Sequence, residues 1–257
     1  MIPIQLPPNT IEGPRGGTDE WKEARRGLVT ASRFGDVMTE PRSKAAKDAG
    51  QMSDTARGYL MELVASEITG EDKVGGRSAA MDRGVDKEAD AIDAYAAQRF
   101  ITVAEGRLLL RPMERIAATP DGFVEEDDEG HGIIEVKCPE SKRHLQTWLD
   151  RTLPEEYVEQ VLGQLWISGR AWCDFISFDD RFPRPMQTVV IRVRAADHLE
   201  EIAALEEKVC AFARKMREQV ASIRAFLAEC SPQEARTVTE ALQDSVGSVV
   251  SRPEAQE

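Results

Sequence analysis

The apolar positions of this 257-residue chain follow two periods, and their alternation predicts the order of elements. Helical spacing marks residues 19–26, 53–69, 79–100 and 140–149. A further helix reaches 168, opened by Thr152-x-x-Glu155 as a capping box. Between these lie strand-like runs at 101–111, 115–124, 132–137, 171–178 and 187–193, the first leading into a hairpin formed by the next two. From about 195 to 230, Leu199, Ile202, Leu205, Val209, Phe212 and Met216 repeat along a charged helix, a stripe that packs on the core or on a second subunit. Residues 1–17 read as an extended arm, 41–52 as a mobile loop and 231–257 as a loosely held tail. The expectation is one α/β domain over 1–230, a central mixed β-sheet flanked by helices.

Composition narrows the function less than the pattern does. With 41% hydrophobic and 31% charged residues the chain is of ordinary globular make-up. No apolar run reaches membrane-spanning length and the N-terminus lacks a basic-then-apolar leader, so the expectation is a cytoplasmic protein with no membrane partner. Cys138, Cys173, Cys210 and Cys230 are scattered, without zinc-ligand spacing. A formal net charge of −13 argues against a general nucleic-acid coat, since non-specific DNA affinity comes from neutralising phosphates. An enzyme with a local basic track stays compatible with it.

The chemistry concentrates in residues 119–139, TPDGFVEEDDEGHGIIEVKCP. A hairpin with a polar loop at 125–131 sets Asp121 beside Glu135. Strand alternation projects Glu135 and Lys137 to one side while Ile134 and Val136 point to the core. Two carboxylates with an open coordination sphere suit Mg²⁺ or Mn²⁺. One such ion polarises a phosphate and activates water, and a second about 4 Å away stabilises the leaving oxygen. Lys137 would orient the water or offset developing charge. The same residues read equally well as a surface turn and a solvated ion pair.

Pro120-Asp121, a gap and Glu135-Val136-Lys137 resemble the signature of the PD-(D/E)xK nuclease superfamily. Cys138-Pro139 resembles its phage lambda exonuclease, or YqaJ-like recombinase, branch. Trp21-x-x-x-Arg25, Gly27-x-x-Thr30-Ala31-Ser32, Pro41-Arg42-Ser43, Gly84-x-x-x-Glu88 and Tyr157-x-x-Gln160 resemble that branch in the same order, from about residue 21 to 194. The resemblance implies a restriction-endonuclease-like core. It implies a Mg²⁺-dependent 5′→3′ exonuclease, with two ions and Mn²⁺ as substitute, that degrades one strand of double-stranded DNA from its ends. The 3′ overhangs left would serve recombination, in a phage- or prophage-encoded system. It further implies a homotrimeric ring around the DNA and a single-strand annealing protein as partner.

Carried over residue by residue, Asp121, Glu135 and the Val136 carbonyl hold metal, and Lys137 serves the nucleophile. Glu88 lies at or near the metal, and Gly84 admits a close approach. Gln160, with Tyr157, faces the catalytic centre. Arg25 and Ser32 bind the 5′-phosphate, and Arg42 guides the strand. Each has a plainer reading: Ser32 as a helix N-cap, Arg42 in a solvated loop, Glu88 paired with Lys87 or Arg83, and Tyr157, Gln160 and Gln164 as a solvated stripe. Lys142, Arg143, His144 and Trp148 are expected near the site. An endonuclease on the same fold and a catalytically idle scaffold remain the alternatives.

Overall fold

The computed structural model describes residues 6–71, 79–127 and 129–230; the expected tail therefore lies outside the described residues. In chain order the elements are β1 (Ile11–Arg15), α1 (Asp19–Ala24), β2 (Val29–Thr30), α2 (Phe34–Met38), α3 (Lys44–Asp48), α4 (Asp54–Thr69) and α5 (Ala79–Arg99). Then come β3 (Val103–Glu105), β4 (Arg107–Arg111), β5 (Ile116–Ala118), β6 (Gly122–Asp127) and β7 (Gly130–Lys137). The chain continues through α6 (Ser141–Asp150), α7 (Val158–Ser168), β8 (Trp172–Phe178), α8 (Arg184–Gln187), β9 (Thr188–Arg194) and α9 (Leu199–Glu229).

The α/β class is as expected, but the described strands form two mixed sheets. One has the order β1-β4-β5-β2, the other β3-β6-β7-β8-β9. The expected strands 101–111 and 115–124 each break and change sheet. Gly106 separates β3 from β4, where a side chain's Cβ would lie 2.3 Å from the Pro120 carbonyl oxygen. Pro120, which has no N–H to give a ladder, stands at the second break. These two crossings meet, with Gly106 against the backbone of Pro120 and Asp121 just before β6. The expected arm is also pinned, since β1 pairs antiparallel with β4.

Both faces of the five-stranded sheet are covered. Val124, Ile134, Val136 and Ile176 pack on Ala91 and Tyr95 of α5. On the other face Phe123, Ile133 and Phe175 meet Val161 and Leu165 of α7, with Phe34, Leu60, Leu63, Val209, Phe212 and Met216 in the same cluster. Hence the α9 stripe packs largely on this core. Gly163 lets α7 close on α2, because a Cβ there would lie 2.4 Å from the Phe34 ring. Asp174, buried on β8, accepts from Tyr95 Oη at 2.7 Å and from Arg192 Nε at 2.8 Å. This buried network fastens α5 to the sheet.

Local capping differs from expectation at three places. Pro154 holds extended geometry before a 3₁₀ turn at Glu155–Tyr157, so Thr152 is not the cap that opens α7. Residues preceding a proline disfavour helical geometry, which prevents an earlier start. Thr30 rather than Ser32 precedes the turn Ala31–Arg33, and α2 follows from Arg33. The expected loop 41–52 contains α3, whose N-cap Ser43 accepts from the Ala46 N–H at 3.2 Å.

Candidate active site

Asp121 stands at the entry to β6, where its N–H donates to the Ile134 carbonyl at 3.0 Å. Its Oδ2 accepts from the Val136 N–H at 2.6 Å. The carboxylate is thereby aimed across the end of β7, beside Glu135. Burial and the Glu135 charge push the Asp121 carboxyl well above its ordinary range, against the opposing pull of Lys137.

Glu135 is 1% exposed, which excludes the plain reading of a solvated surface pair. Its Oε1 accepts from Gln160 Nε2 at 2.6 Å and also pairs with Lys137 Nζ. Its Oε2 accepts from Gln164 Nε2 at 2.6 Å. A buried carboxylate needs such donors, and α7 supplies two of them at the i, i+4 spacing of one face. Burial opposes the charge on Lys137, but Glu135 and Asp121 outweigh it and hold the ammonium above its usual range. Tyr157 lies beneath, with Lys137 Nζ 5.3 Å from its ring centroid and Phe175 stacked 5.2 Å away.

Glu88 approaches from α5. Burial and Glu135 raise its carboxyl above the ordinary value, while Lys137 lowers it. The pairing considered for it goes elsewhere: Arg83 binds Asp179 and Asp180, and Lys87 binds Asp90 and Asp180. Arg83 also donates to the Cys138 carbonyl at 3.4 Å, tying the helix that carries Glu88 to the strand end that carries Lys137. No described part of the chain packs on Gly84, whose Cβ position is open.

The Glu135 charge raises the proton affinity of both Asp121 and Glu88, and carboxylate oxygens are the donors a hard divalent cation prefers. Among the described residues no three His, Cys, Asp or Glu side chains form a group that could by itself hold a metal ion. An ion bound here would take few ligands from the chain and keep several waters, a habit of Mg²⁺ rather than of structural zinc.

Arg25 follows α1, its guanidinium 4.4 Å from the Trp21 ring centroid. Its Nη2 donates to Thr30 Oγ1 at 3.5 Å, and that hydroxyl lies 3.4 Å from Ser32 Oγ. Arg25 and Thr30 line a cavity of about 280 Å³ together with Lys22, Arg33 and Tyr59. Thr119 couples this cavity to the carboxylates. Its hydroxyl accepts from Trp21 Nε1 at 3.0 Å and its carbonyl from Gln164 Nε2 at 3.3 Å.

The other expected neighbours divide. Lys142 is exposed on α6, as is Arg143, which pairs with Glu156. His144 is buried in structural bonds to Ser177 Oγ at 2.8 Å and the Met186 carbonyl at 2.7 Å. Trp148 carries the Arg151 guanidinium 4.6 Å from its ring centroid. Arg42 is exposed just before α3, with no described contact to the carboxylates. Sequence reasoning does not single out Gln164 or Thr30 for the site; the only signal for Gln164 is its place one turn beyond Gln160.

Residues 20–171 match the model of the YqaJ-like viral recombinase domain. An alkaline exonuclease (LHK-Exo) from Laribacter hongkongensis is 34% identical over 83% of this chain and 100% of that one, with a TM-score of 0.71. LHK-Exo in complex with dAMP matches with the same values. A phage related exonuclease from Haemophilus somnus, 19% identical over 77% of this chain and 96% of that one, shares the fold with a TM-score of 0.59. No curated protein matches significantly.

Proposed function

Because the chain belongs to the YqaJ-like viral recombinase family, we propose that it is a Mg²⁺-dependent exonuclease that digests one strand of double-stranded DNA in the 5′→3′ direction. The observation that carries this is the convergence of Asp121, Glu135 and Lys137, with Glu135 buried and clamped by Gln160 and Gln164. A buried, doubly clamped carboxylate is costly to keep, and a metal site repays that cost in function.

Asp121 and Glu135, with Glu88 and the Val136 carbonyl, would hold Mg²⁺, or Mn²⁺ in its place. When bound, such an ion polarises the scissile phosphodiester and makes water more acidic. Lys137 presents its ammonium to the attacking water and to the charge growing on phosphorus. Gln160 and Gln164 fix the Glu135 carboxylate, so that it need not reorganise during the reaction. Arg25, with Thr30 and Ser32, would take the 5′-terminal phosphate through the planar guanidinium. Trp21 and Thr119 set that pocket at a fixed offset from the carboxylates. This offset would define both polarity and the length released.

A homotrimeric ring would keep so acidic a chain on DNA by topology, Arg42 would guide the strand, and an annealing protein would take over the 3′ overhang. Replacing Lys137 by Ala tests the assignment. The variant should bind duplex ends close to normally and lose at least about 10²-fold in turnover; wild-type turnover would remove Lys137 from the mechanism.

A further inference from the structure

Gly27 lines the cavity that holds Arg25, and an ion-pair cluster that does not itself line that cavity backs it. Glu67, near the C-terminal end of α4, packs on Gly27 so closely that a side chain there would collide with it. Its carboxylate pairs with Arg115 and, at 3.2 Å, with Arg224 of α9. Arg115 Nη2 also donates to the Gly27 carbonyl at 3.4 Å. We propose that Glu67 and Arg115 are positioning residues for the 5′-phosphate. Acting through Gly27, they set where the Arg25 guanidinium stands, and so how strongly the protein prefers phosphorylated ends. The inference rests on the assignment of Arg25 given above and adds to it two residues that stand outside the cavity.

Backbone geometry ties the cluster to this one turn. Gly27 and Arg115 both have a φ of +63°. Glycine adopts that conformation readily, whereas a residue with a side chain needs its surroundings to hold it there. Arg115 is held from both sides: its N–H donates to the Pro112 carbonyl at 3.3 Å, and its carbonyl accepts from the Val29 N–H at 3.0 Å. Immediately beyond, β2 and β5 pair in parallel, Val29 with Ile116. The turn closes on Arg25 itself, whose carbonyl accepts from the Leu28 N–H at 3.1 Å. Arg25 thus enters the sheet at the point that Arg115 fixes, and β5 leads from that point towards Thr119 and the carboxylates. Exposure decides which ion pair matters. The side chains of Glu67 and Arg115 are 15% and 34% exposed, but that of Arg224 is 60% exposed, so water screens its share most. Without Arg115, the Glu67 carboxylate loses its better-shielded partner and the Gly27 carbonyl loses its donor. A shift of about 1 Å in a positioning group is enough to cost about 10²-fold.

The test measures kcat and KM in Mg²⁺ on one duplex with 5′-phosphate or 5′-hydroxyl ends, for wild type, Arg115→Met, Arg115→Lys, Glu67→Gln and Arg25→Ala. Wild type should favour the phosphorylated end. In Arg115→Met and Glu67→Gln, KM for that end should rise roughly tenfold or more with kcat within about twofold, while the 5′-hydroxyl end reacts as in wild type. Arg115→Lys, which keeps a cation for Glu67, should recover most of the preference. A purely structural role would instead lower kcat by one factor on both ends and leave the preference intact, and that result would overturn the inference. Preference lost in Arg25→Ala but kept in both Arg115→Met and Glu67→Gln would overturn it too, and would spare the assignment of Arg25. Wild-type cleavage with no preference for phosphorylated ends would remove the assignment of Arg25 and this inference together.

Discussion

Asp179 joins three segments that carry the site, and its removal has a calculable cost. Burial alone would raise its carboxyl, but hydrogen bonds from Arg181 and Ser141 outweigh it and hold the group at about 2, against an ordinary 3.8. Arg83 adds a further bond at 3.1 Å. At about 1.36 kcal/mol per pH unit the charge contributes at most ~2.5 kcal/mol to stability. The side chains of Arg83 and Arg181 are 24% and 44% exposed, so solvent screening reduces this to on the order of 1–2 kcal/mol. A depressed carboxylate stabilises fully above its unfolded value, and the contribution fades as pH falls from about 4 towards 2. Urea titrations of wild type and Asp179→Asn at pH 7 should differ in midpoint by about 0.3–0.7 M, for a slope of about 3 kcal/mol/M. At pH 3.5 the gap should be visibly narrower. A gap of the same size at both pH values, or none at pH 7, would show that the Asp179 charge does not stabilise the fold.

Gln164→Leu keeps the volume but strips one donor from the buried Glu135. We expect a fall of about 10–100-fold in kcat with little change in KM, read by single-turnover kinetics. Gly163→Val forces a branched side chain against Phe34 and should cost about 1–3 kcal/mol in a thermal or urea melt, with DNA-end specificity retained in the folded fraction. Arg25→Ala should remove the preference for 5′-phosphorylated over 5′-hydroxyl ends in competition assays, while chemistry on the scissile bond persists.

Much of this structure was legible because its signals are local. Periodicity located α4, α5, α6, β8, β9 and α9, and strand alternation put Glu135 and Lys137 on one side of β7. What periodicity cannot carry is the choice of sheet. Strand-like runs resume after Gly106 and Pro120, and only the meeting of those two backbone segments divides the strands between sheets. The same limit hid the burial of Glu135, which depends on α7 crossing that face of the sheet. Thr152-x-x-Glu155 matched a capping pattern in letters, while Pro154 within it already forbade the geometry. Ser43 is the converse: it caps α3, although the polar composition of 41–52 reads as a loop. Thr119 offers no motif at all, and its role appears only once Trp21 and Gln164 converge on it.

Hydrolysis that needs both a DNA end and a metal ion distinguishes linear from circular DNA. Linear 5′-phosphorylated duplex and covalently closed circular DNA are each incubated with the protein, in Mg²⁺ and in EDTA. Loss of the linear form alone, only with Mg²⁺ and with release of mononucleotides, is the predicted result. Nicking or linearisation of the circle, or survival of both DNAs in Mg²⁺ and in Mn²⁺, would contradict it.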